Sequence, residues 1–364
     1  MKAWRRLAIL AIPLAILACG DSATDPGRSE PIDLALPWVV ASPESQGMNA
    51  GAMQDAIAHA ATLPRLFSLL VVRHGKLVVE EYFNGNDAES LNDVRSVTKS
   101  VVSTLVGIAV QQGHIGLDES VLDHLSPAIE GLPAELDNVT IHDLLTMSGG
   151  FEWDESTTAG YNAWILSGNY LRYLLERPIV DEPGTTFHYN SAAVHLLAVI
   201  LQLATDEWIY DYADEHLFGP IGITRSSWEI LLDGWPNGAS GIDLLPRDLA
   251  RVGTLWLQNG RSGNNQILPD DWVRDGTQPA FAWTNGYGAL RDQSYGYLWW
   301  LTRSTRAGPA HLAWGHGGQF IYVVPGKDMV VVVTHDWRGA SALTNELAVN
   351  GLDLIVNHVL RAAR

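Results

Sequence analysis

Residues 311–335 read HLAWGHGGQFIYVVPGKDMVVVVTH, which contains three short runs rich in β-branched and aromatic residues. The segment Gly315 to Gly318 divides the first run from the second, and Pro325-Gly326 divides the second from the third. Glycine and proline at such points are typical of the tight connections between antiparallel strands. The stretch therefore predicts three consecutive strands of one sheet, followed at residues 341–360 by a segment with apolar residues at helical spacing.

Two further apolar runs lie in residues 66–83, which read LFSLLVVRHGKLVVEEYF. His74-Gly75 interrupts them, and this pattern predicts a β-hairpin. Between the hairpin and the three later strands, mostly helical spacing occurs at residues 96–112, 141–147, 192–203, 208–216 and 248–258. We therefore expect an α/β (α+β) fold, in which an antiparallel sheet from both chain ends is flanked by helices and carries an inserted, mostly helical subdomain.

This order of elements predicts two lobes within one compact unit. The sheet lobe takes in residues of about 38–95 and 296–364, and the helical lobe those of about 96–295. Clefts between lobes are common places for small-molecule sites, so we expect an active site there.

The composition is that of a globular protein, with 47% hydrophobic and 18% charged residues in a chain of 364. Its 23 basic and 41 acidic residues give a formal net charge of −18. Such a surface repels phosphate backbones and anionic lipid headgroups, and basic residues form no block beyond Arg5 and Arg6. Nucleic-acid binding and membrane contact through basic side chains are therefore excluded.

Residues 1–18 have the pattern of a secretion signal, with a basic start followed by an apolar run from Leu7 to Ala18 that is too short to span a bilayer. Cys19, the only cysteine of the sequence, ends the segment ILAC, which resembles the lipobox at which bacterial lipoproteins are cleaved and acylated. We expect a lipid anchor on Cys19, at the periplasmic or extracellular face of the cell envelope. The alternative is an ordinary cleavage site with an incidental cysteine.

Residues 19–37 are rich in Gly, Pro, Ser and Asp and show no apolar periodicity. This composition predicts a flexible tether between the anchor and a domain of residues 38–364.

A candidate nucleophile opens the first helical pattern, in Ser96-Val97-Thr98-Lys99-Ser100. Ser96 and Lys99 are three residues apart, so a helix places them on one face. A serine hydroxyl needs an adjacent base, and a lysine amine can serve where burial and the positive end of a helix dipole keep it neutral. The alternative is a serine that only caps the helix and a lysine exposed on the surface.

Further segments follow in order: GHIGLDESVLDHLSP (113–127), IHDLLTMSGGFEW (141–153), EPGTTFHYNSAAVHLLAVIL (182–201), GIDLLPRDLARVGTLWLQNG (241–260), YGYLWW (295–300) and WGHGGQFIYVVPGKDMVVVVT (314–334). Together with SVTKS they resemble the penicillin-recognising serine hydrolases, in the branch of class C β-lactamases, DD-peptidases, related esterases and 6-aminohexanoate-dimer hydrolases. The resemblance runs from about residue 41 to 360 and implies the β-lactamase/DD-peptidase fold and hydrolysis through an acyl-enzyme.

The resemblance implies a role for each matching residue. Ser96 is the acylated nucleophile, Lys99 its proton acceptor and Tyr189 a second base. The backbone N–H groups of Ser96 and Gln319 form the oxyanion hole. A tyrosine base needs a lowered pKa, which a Lys99 cation would supply for Tyr189. The alternative for Tyr189 is a buried aromatic residue whose hydroxyl is satisfied.

Two positions depart from the family pattern. Ser191 stands where a substrate-binding asparagine is expected after Tyr189, and His316-Gly317-Gly318 stands in place of Lys-Thr/Ser-Gly. A histidine is mostly neutral near pH 7, so a penicillin carboxylate would lack its charged partner. We therefore expect an esterase or amidase with smaller or less anionic substrates, in which Ser191 and residues 316–318 contact the substrate. The alternative for His316 is a strand-end residue bonded to the backbone.

Two other functions stay open: a β-lactamase or D-Ala-D-Ala carboxypeptidase, and a catalytically inactive lipoprotein that binds cell-wall material. An α/β-hydrolase is excluded because no serine has the flanks G-x-S-x-G. No cofactor or metal is implied, since Asp211, Asp214 and His216 on one amphipathic segment are typical of a solvated face. Beyond its small-molecule substrate we expect no partner, and a monomer. The tryptophans at 283, 299, 300 and 314 belong to the core or line an apolar acyl pocket.

Overall fold

A computed structural model describes residues 29–303, 308–340 and 342–363. The predicted export signal, Cys19 and the first part of the predicted tether lie outside the described residues. Within the described part, no single helix is long and apolar enough to cross a bilayer; one pair, Ser191–Thr205 and Ile209–Ile221, passes by length and composition but is bent by 85°.

The strands lie where the apolar runs predict them, with several shorter ones in addition. They are β1 (Leu66–Arg73), β2 (Lys76–Tyr82), β3 (Asn92–Asp93), β4 (Ser226–Trp228), β5 (Ile242–Leu244), β6 (Arg261–Ser262), β7 (Asn265–Gln266), β8 (Phe281–Ala282), β9 (Gln293–Tyr295), β10 (Trp300–Thr302), β11 (Ala310–Gly315), β12 (Gln319–Val324) and β13 (Met329–His335).

Most helices lie between β3 and β8. The α-helices are α1 (Ala50–Ala60), α2 (Val97–Gln112), α3 (Val121–Leu125), α4 (Ile141–Leu145), α5 (Thr158–Ile165), α6 (Tyr170–Leu175), α7 (Ser191–Thr205), α8 (Ile209–Ala213), α9 (Pro246–Leu257), α10 (Asp270–Gly276), α11 (Thr344–Asp353) and α12 (Leu360–Ala362). Short 3₁₀ segments occupy Glu44–Gln46, Ala134–Asn138, Gly219–Ile221 and Pro325–Lys327, and π-helical turns occupy Asp214–Phe218 and Leu354–Val359.

One sheet unites the two chain ends, as the sequence predicts. Its order is β2-β1-β13-β12-β11-β10-β9-β8, with antiparallel neighbours throughout. The early strand β1 pairs with the late strand β13, with Val71 opposite Val331. The hairpin turn has positive φ at His74 and Gly75 (49° and 69°), the backbone that matches the twist of paired strands.

Both faces of the sheet are covered, which explains why β1 is apolar without alternation. Leu69 and Val71 belong to the core cluster under α1 and the C-terminal helices, whereas Leu70 and Val72 belong to the cluster on the α2 and α9 side. Successive strand residues point to opposite faces, so a strand buried on both sides needs apolar residues at every position.

The boundary between the lobes differs from the predicted one at residue 295. Strands β8 and β9 belong to the large sheet although both precede residue 296. Strands of two or three residues are too short to show a period of two, so their sequence carries no signal of pairing.

The last part of the predicted tether is also packed on the domain. Ile32 donates its backbone N–H to Gln258 Oε1 (2.8 Å), and Leu34 donates its own to Ser262 Oγ (2.9 Å). The Leu34 side chain is 1% exposed. Packing against the domain therefore begins before residue 38. One apolar side chain and two long-range hydrogen bonds hold this segment, although its composition indicates flexibility.

Candidate active site

Helix α2 carries the candidate nucleophile at its start and runs into the core. Its residues from Val97 to Ala109 are all buried. Ser96 is the N-cap residue, but its side chain makes no capping hydrogen bond. The hydroxyl is therefore not occupied by capping, and Lys99 is not a surface residue, so neither alternative reading of this segment holds.

Ser96 and Lys99 are in direct contact. Lys99 Nζ lies 3.1 Å from Ser96 Oγ and donates a hydrogen bond of 2.7 Å to the carbonyl oxygen of Ala239. The Lys99 side chain is 1% exposed, and no carboxylate that the structure describes forms an ion pair with it. Its amine is therefore held beside the hydroxyl by one backbone acceptor from the helical lobe.

The surroundings of Lys99 favour its neutral form. Burial lowers the pKa of Lys99 from 10.5 to about 7; the charge of Glu155 raises this pKa and that of Arg95 lowers it further. Burial dominates because an ammonium loses its hydration in a site with little polar compensation. A large fraction of Lys99 is therefore unprotonated near neutral pH.

Tyr189 completes the cluster on the segment that leads into α7. Its ring centroid lies 5.2 Å from Lys99 Nζ, and the ring stacks on Trp300 at 5.8 Å. Burial raises the pKa of Tyr189, as does the charge of Glu155, while an interaction with Ser96 and the charge of Arg95 oppose the rise. The expected lowering of the Tyr189 pKa is therefore wrong in sign, because burial of the phenol, and next the charge of Glu155, disfavour the phenolate.

A cavity of about 740 Å³ opens in front of Ser96. Of the predicted site residues, Ser96, Tyr189, His316 and Gly317 line it, and Trp300 and Trp314 form part of its aromatic wall. The other lining residues are Arg95, Glu155, Ser156, Thr157, Tyr161, Asn162, Ser240, Tyr287, Trp337, Thr344, Asn345 and Ala348. Trp299 is instead fully buried in the core, and Trp283 packs on Phe187.

Ser191 does not line the cavity. Its Oγ donates a hydrogen bond of 2.6 Å to Glu155 Oε1, and its backbone N–H donates one of 2.8 Å to Glu155 Oε2. Asn190 caps α7 by accepting from the backbone N–H of Ala193 (2.9 Å). The prediction that Ser191 contacts the substrate is therefore corrected: this serine orients Glu155, which does face the cavity.

The turn between β11 and β12 also differs from its predicted role. Gln319 is fully buried and pairs with Gly315, and its side chain exchanges hydrogen bonds with the backbone of His335. Gln319 and Gly318 are both absent from the cavity lining. The prediction that the backbone N–H of Gln319 helps to form the oxyanion hole therefore gains no support from the position of this residue, which is buried and does not line the cavity.

Gly315, at the end of β11, packs closely against the backbone of Val94. A Cβ at this residue would collide with the carbonyl oxygen of Val94, two residues before Ser96. The end of β11 therefore lies directly against the entry to α2, and the next residue, His316, faces the cavity. Burial, followed by the charge of Arg95, lowers the pKa of His316, so the imidazole is neutral near pH 7.

Arg95 is a site residue that the sequence analysis missed. It precedes Ser96, lines the cavity and adopts a positive φ of 51°. Its Nη2 donates a hydrogen bond of 3.1 Å to Tyr161 Oη, and its guanidinium lies 4.5 Å from the centre of the Trp337 ring. A left-handed backbone costs a residue with a Cβ roughly 1–2 kcal/mol. The sequence did offer one indication that Arg95 belongs to the site, because this residue directly precedes Ser96.

Two groups of possible metal ligands occur in the part of the chain that the structure describes, and both lie away from the cavity. His216 lies with Glu207 and Glu215, rather than with Asp211 and Asp214 as the sequence analysis considered. The other group is His59, Asp353 and His358. None of these residues lines the cavity or contacts Ser96 or Lys99, so neither group belongs to the candidate site.

Comparison with known proteins finds relatives of this chain by sequence and by fold. The family model described as Beta-lactamase matches residues 55–351. The chain is 24% identical over 291 residues to 6-aminohexanoate-dimer hydrolase of Paenarthrobacter ureafaciens, covering 74% of this chain and 72% of that protein.

Two solved structures share the fold. The octameric penicillin-binding protein homologue from Pyrococcus abyssi superposes with a TM-score of 0.66 at 18% identity, over 85% of this chain and 78% of that one. EstCE1, described as a hydrolase with promiscuous acyltransferase activity, gives 0.62 at 16% identity, over 83% of this chain and 97% of that one.

Proposed function

Because the chain belongs to the Beta-lactamase family, we propose that it hydrolyses small esters or amides through an acyl-enzyme on Ser96. The observation that carries the proposal is the 3.1 Å contact between Ser96 Oγ and a buried Lys99 amine at the edge of an aromatic-lined cavity. A nucleophile and a base within hydrogen-bond reach are the minimum for covalent acyl transfer.

In the first step Ser96 Oγ attacks the substrate carbonyl carbon while its proton passes to the neutral Lys99 amine. The carbonyl double bond opens to an oxyanion, and collapse of this intermediate expels the alcohol or amine with a proton. A water molecule then attacks the acyl carbon, its proton passes to the same base, and Ser96 is released with the acid product.

The oxyanion would be stabilised by the backbone N–H groups of Ser96 and His316. Neither N–H donates a hydrogen bond to any residue in the described ranges. The contact of Gly315 with Val94 supports this pairing, because it brings the end of β11 against the start of α2. Backbone donors preorganised in this way are worth about 10²-fold or more in rate.

Tyr189 would act as a proton donor rather than as a phenolate base. Its raised pKa keeps the hydroxyl protonated, and its ring lies against Lys99 and near Ser96. A protonated hydroxyl can protonate the leaving group, and the phenolate then takes back the proton that Lys99 received from Ser96. Lys99 is then neutral again when water attacks, and it passes the proton of that water to Ser96 Oγ as the acid is released.

Tyr189→Phe is expected to reduce the hydrolysis rate by about 10² to 10⁴, with the larger loss on alkyl esters and amides, because these leaving groups depend most on protonation. The measurement is kcat/KM on a p-nitrophenyl ester and on an alkyl ester of the same acid. Tyr295→Phe is the matched control, since Tyr295 lies beside the Tyr189 ring but outside the cavity lining. An equal loss on both esters would instead indicate a base role for Tyr189.

Hydrolysis of a panel of p-nitrophenyl esters, linear amides, nitrocefin and D-Ala-D-Ala peptides tests the proposal. We expect turnover of an ester or amide together with labelling by a fluorophosphonate. Nitrocefin or peptide as the preferred substrate would favour the β-lactamase or carboxypeptidase alternative. Absence of both labelling and turnover would favour the inactive binding protein.

We also propose that Cys19 carries lipid and holds the enzyme at the cell envelope, on the strength of the sequence pattern at residues 1–19. The full chain is expected to partition into detergent phase, and Cys19→Ser into the aqueous phase with unchanged activity, because the anchor lies outside the catalytic domain. Mass spectrometry of the mature N-terminus checks this. An unmodified N-terminus beyond residue 19 would contradict it.

A further inference from the structure

We infer that Arg95 binds a carboxylate of the substrate, so that this enzyme prefers esters or amides carrying an anionic group near the scissile bond. The inference rests on the proposed function, because it names the substrate class of the same cavity. It reverses the expectation of less anionic substrates, which was based only on His316 standing in place of the family's lysine.

Arg95 is held in a fixed pose beside the nucleophile. Tyr161 accepts from Nη2 at 3.1 Å, and the Trp337 ring lies 4.5 Å from the guanidinium carbon. Arg95 and Ser96 are consecutive and line the same cavity. A planar cation stacked on an aromatic ring is preorganised, so it loses little conformational entropy when an anion binds.

No carboxylate in the described ranges lies within ion-pair distance of the Arg95 guanidinium, and the Arg95 Nε is buried without a hydrogen-bond partner among those residues. Asp93, two residues earlier, accepts a hydrogen bond of 3.1 Å from the backbone N–H of Arg95 and lies 3.8 Å from Arg338 Nη2. Burial raises the pKa of Asp93 and the charge of Arg95 opposes the rise, so this carboxylate is near Arg95 but does not bind the guanidinium directly.

Glu155, the carboxylate in the cavity lining, accepts hydrogen bonds from Ser191 and from Trp153 Nε1 (3.0 Å) and forms no ion pair with Arg95. Burial lowers the pKa of Lys99 to about 7 and also lowers the pKa of His316. The Arg95 guanidinium therefore stays positively charged over a pH range in which the amine and the imidazole lose their protons. A guanidinium with free donors in a partly desolvated cavity is a site for a carboxylate, which it can bind through two parallel hydrogen bonds.

Arg95 and Ser96 line the same cavity, so the anion and the scissile carbonyl would be bound within one cavity. Half-esters of succinate or glutarate place a carboxylate in the acyl part, and carboxyphenyl acetates place it in the leaving group. These two series distinguish the side of the scissile bond on which Arg95 acts.

The test compares kcat/KM for each anionic ester with that for its neutral carboxamide analogue, in wild type, Arg95→Gln and Arg95→Lys. We expect the anionic-to-neutral ratio to fall by about ten- to a hundredfold in Arg95→Gln, because a charge-assisted hydrogen bond is lost. The charge of Arg95 also lowers the pKa of Lys99, but a change in that pKa affects both esters alike and leaves their ratio unchanged. Arg95→Lys should recover part of the ratio. Arg338→Gln is the matched control, since it removes a nearby arginine that does not line the cavity.

An unchanged ratio in Arg95→Gln, or equal losses on both members of each pair, would overturn the inference. Calorimetry of glutarate binding to Ser96→Ala with and without Arg95→Gln gives a readout independent of turnover. There we expect at least about tenfold weaker binding without the guanidinium. If no ester is turned over but glutarate binding depends on Arg95, the proposed function fails and the anion site stands.

Discussion

Replacing Ser96 by alanine is expected to abolish turnover, with a loss of about 10⁴-fold or more, and to abolish labelling by a fluorophosphonate. The reason is that Lys99 Nζ lies 3.1 Å from Ser96 Oγ. Among the described residues, no other hydroxyl group forms a hydrogen bond with this amine. Labelling is followed by intact mass, and turnover by the ester panel.

Ser103→Ala is a matched control for this variant. Ser103 lies on the same helix, and its hydroxyl is buried with no hydrogen-bond partner among the described residues. Removal of an unpaired buried hydroxyl is neutral or stabilising, so activity and labelling should persist. Labelling that survives in Ser96→Ala would place the nucleophile elsewhere; Ser240, which also lines the cavity, would be the next residue to replace.

Lys99→Arg is expected to be as inactive as Lys99→Met, with a loss of about 10² to 10⁴. A guanidinium keeps the positive charge but cannot give up its proton in a protein, so it cannot serve as the base. The measurement is kcat/KM on the ester that wild type prefers. Lys99→Met also removes the charge without adding bulk, which separates loss of the base from disruption of the buried site. Near-normal turnover in Lys99→Arg would exclude the base role.

The pH dependence provides a second test of Lys99. Because burial lowers the pKa of Lys99 to about 7, the neutral amine accumulates as pH rises through this value, and kcat/KM should rise with it. His316 loses its proton at lower pH, because burial and the charge of Arg95 lower its pKa from the ordinary value. His316→Asn should therefore retain the rise near pH 7, and a rise that disappears in this variant would assign the titration to the imidazole.

The strands and helices that can be predicted from the sequence are those whose pattern of apolar residues lies within a single short segment. The apolar runs of β1, β2, β11, β12 and β13 predict the sheet, because a strand buried on both faces must be apolar throughout. β8 and β9 are missed because two or three residues are too few for a period. The segment at residues 29–37 reads as a tether because its contacts with Gln258 and Ser262 are long-range.

Within the candidate site, three features differ from what the motifs predict. Ser191 bonds Glu155 instead of lining the cavity, Gln319 is buried and bonds the backbone of His335, and the pKa of Tyr189 is raised rather than lowered. Each depends on what packs against the residue from a distant part of the chain. No local pattern records that Tyr189 is buried or that the charge of Glu155 acts on its phenol.

The sequence by itself determined the pairing of Ser96 with Lys99 and the two-ended sheet, because helical spacing and apolar periodicity act over a few residues. Tertiary structure alone decided which residues of the turn after β11 line the cavity and which arginine lies there. The approach of Gly315 to Val94 brings His316 rather than Gln319 to the site. The contacts with Tyr161 and Trp337 hold Arg95 at the cavity. These distances join residues far apart in the chain, and only packing of the folded chain sets them.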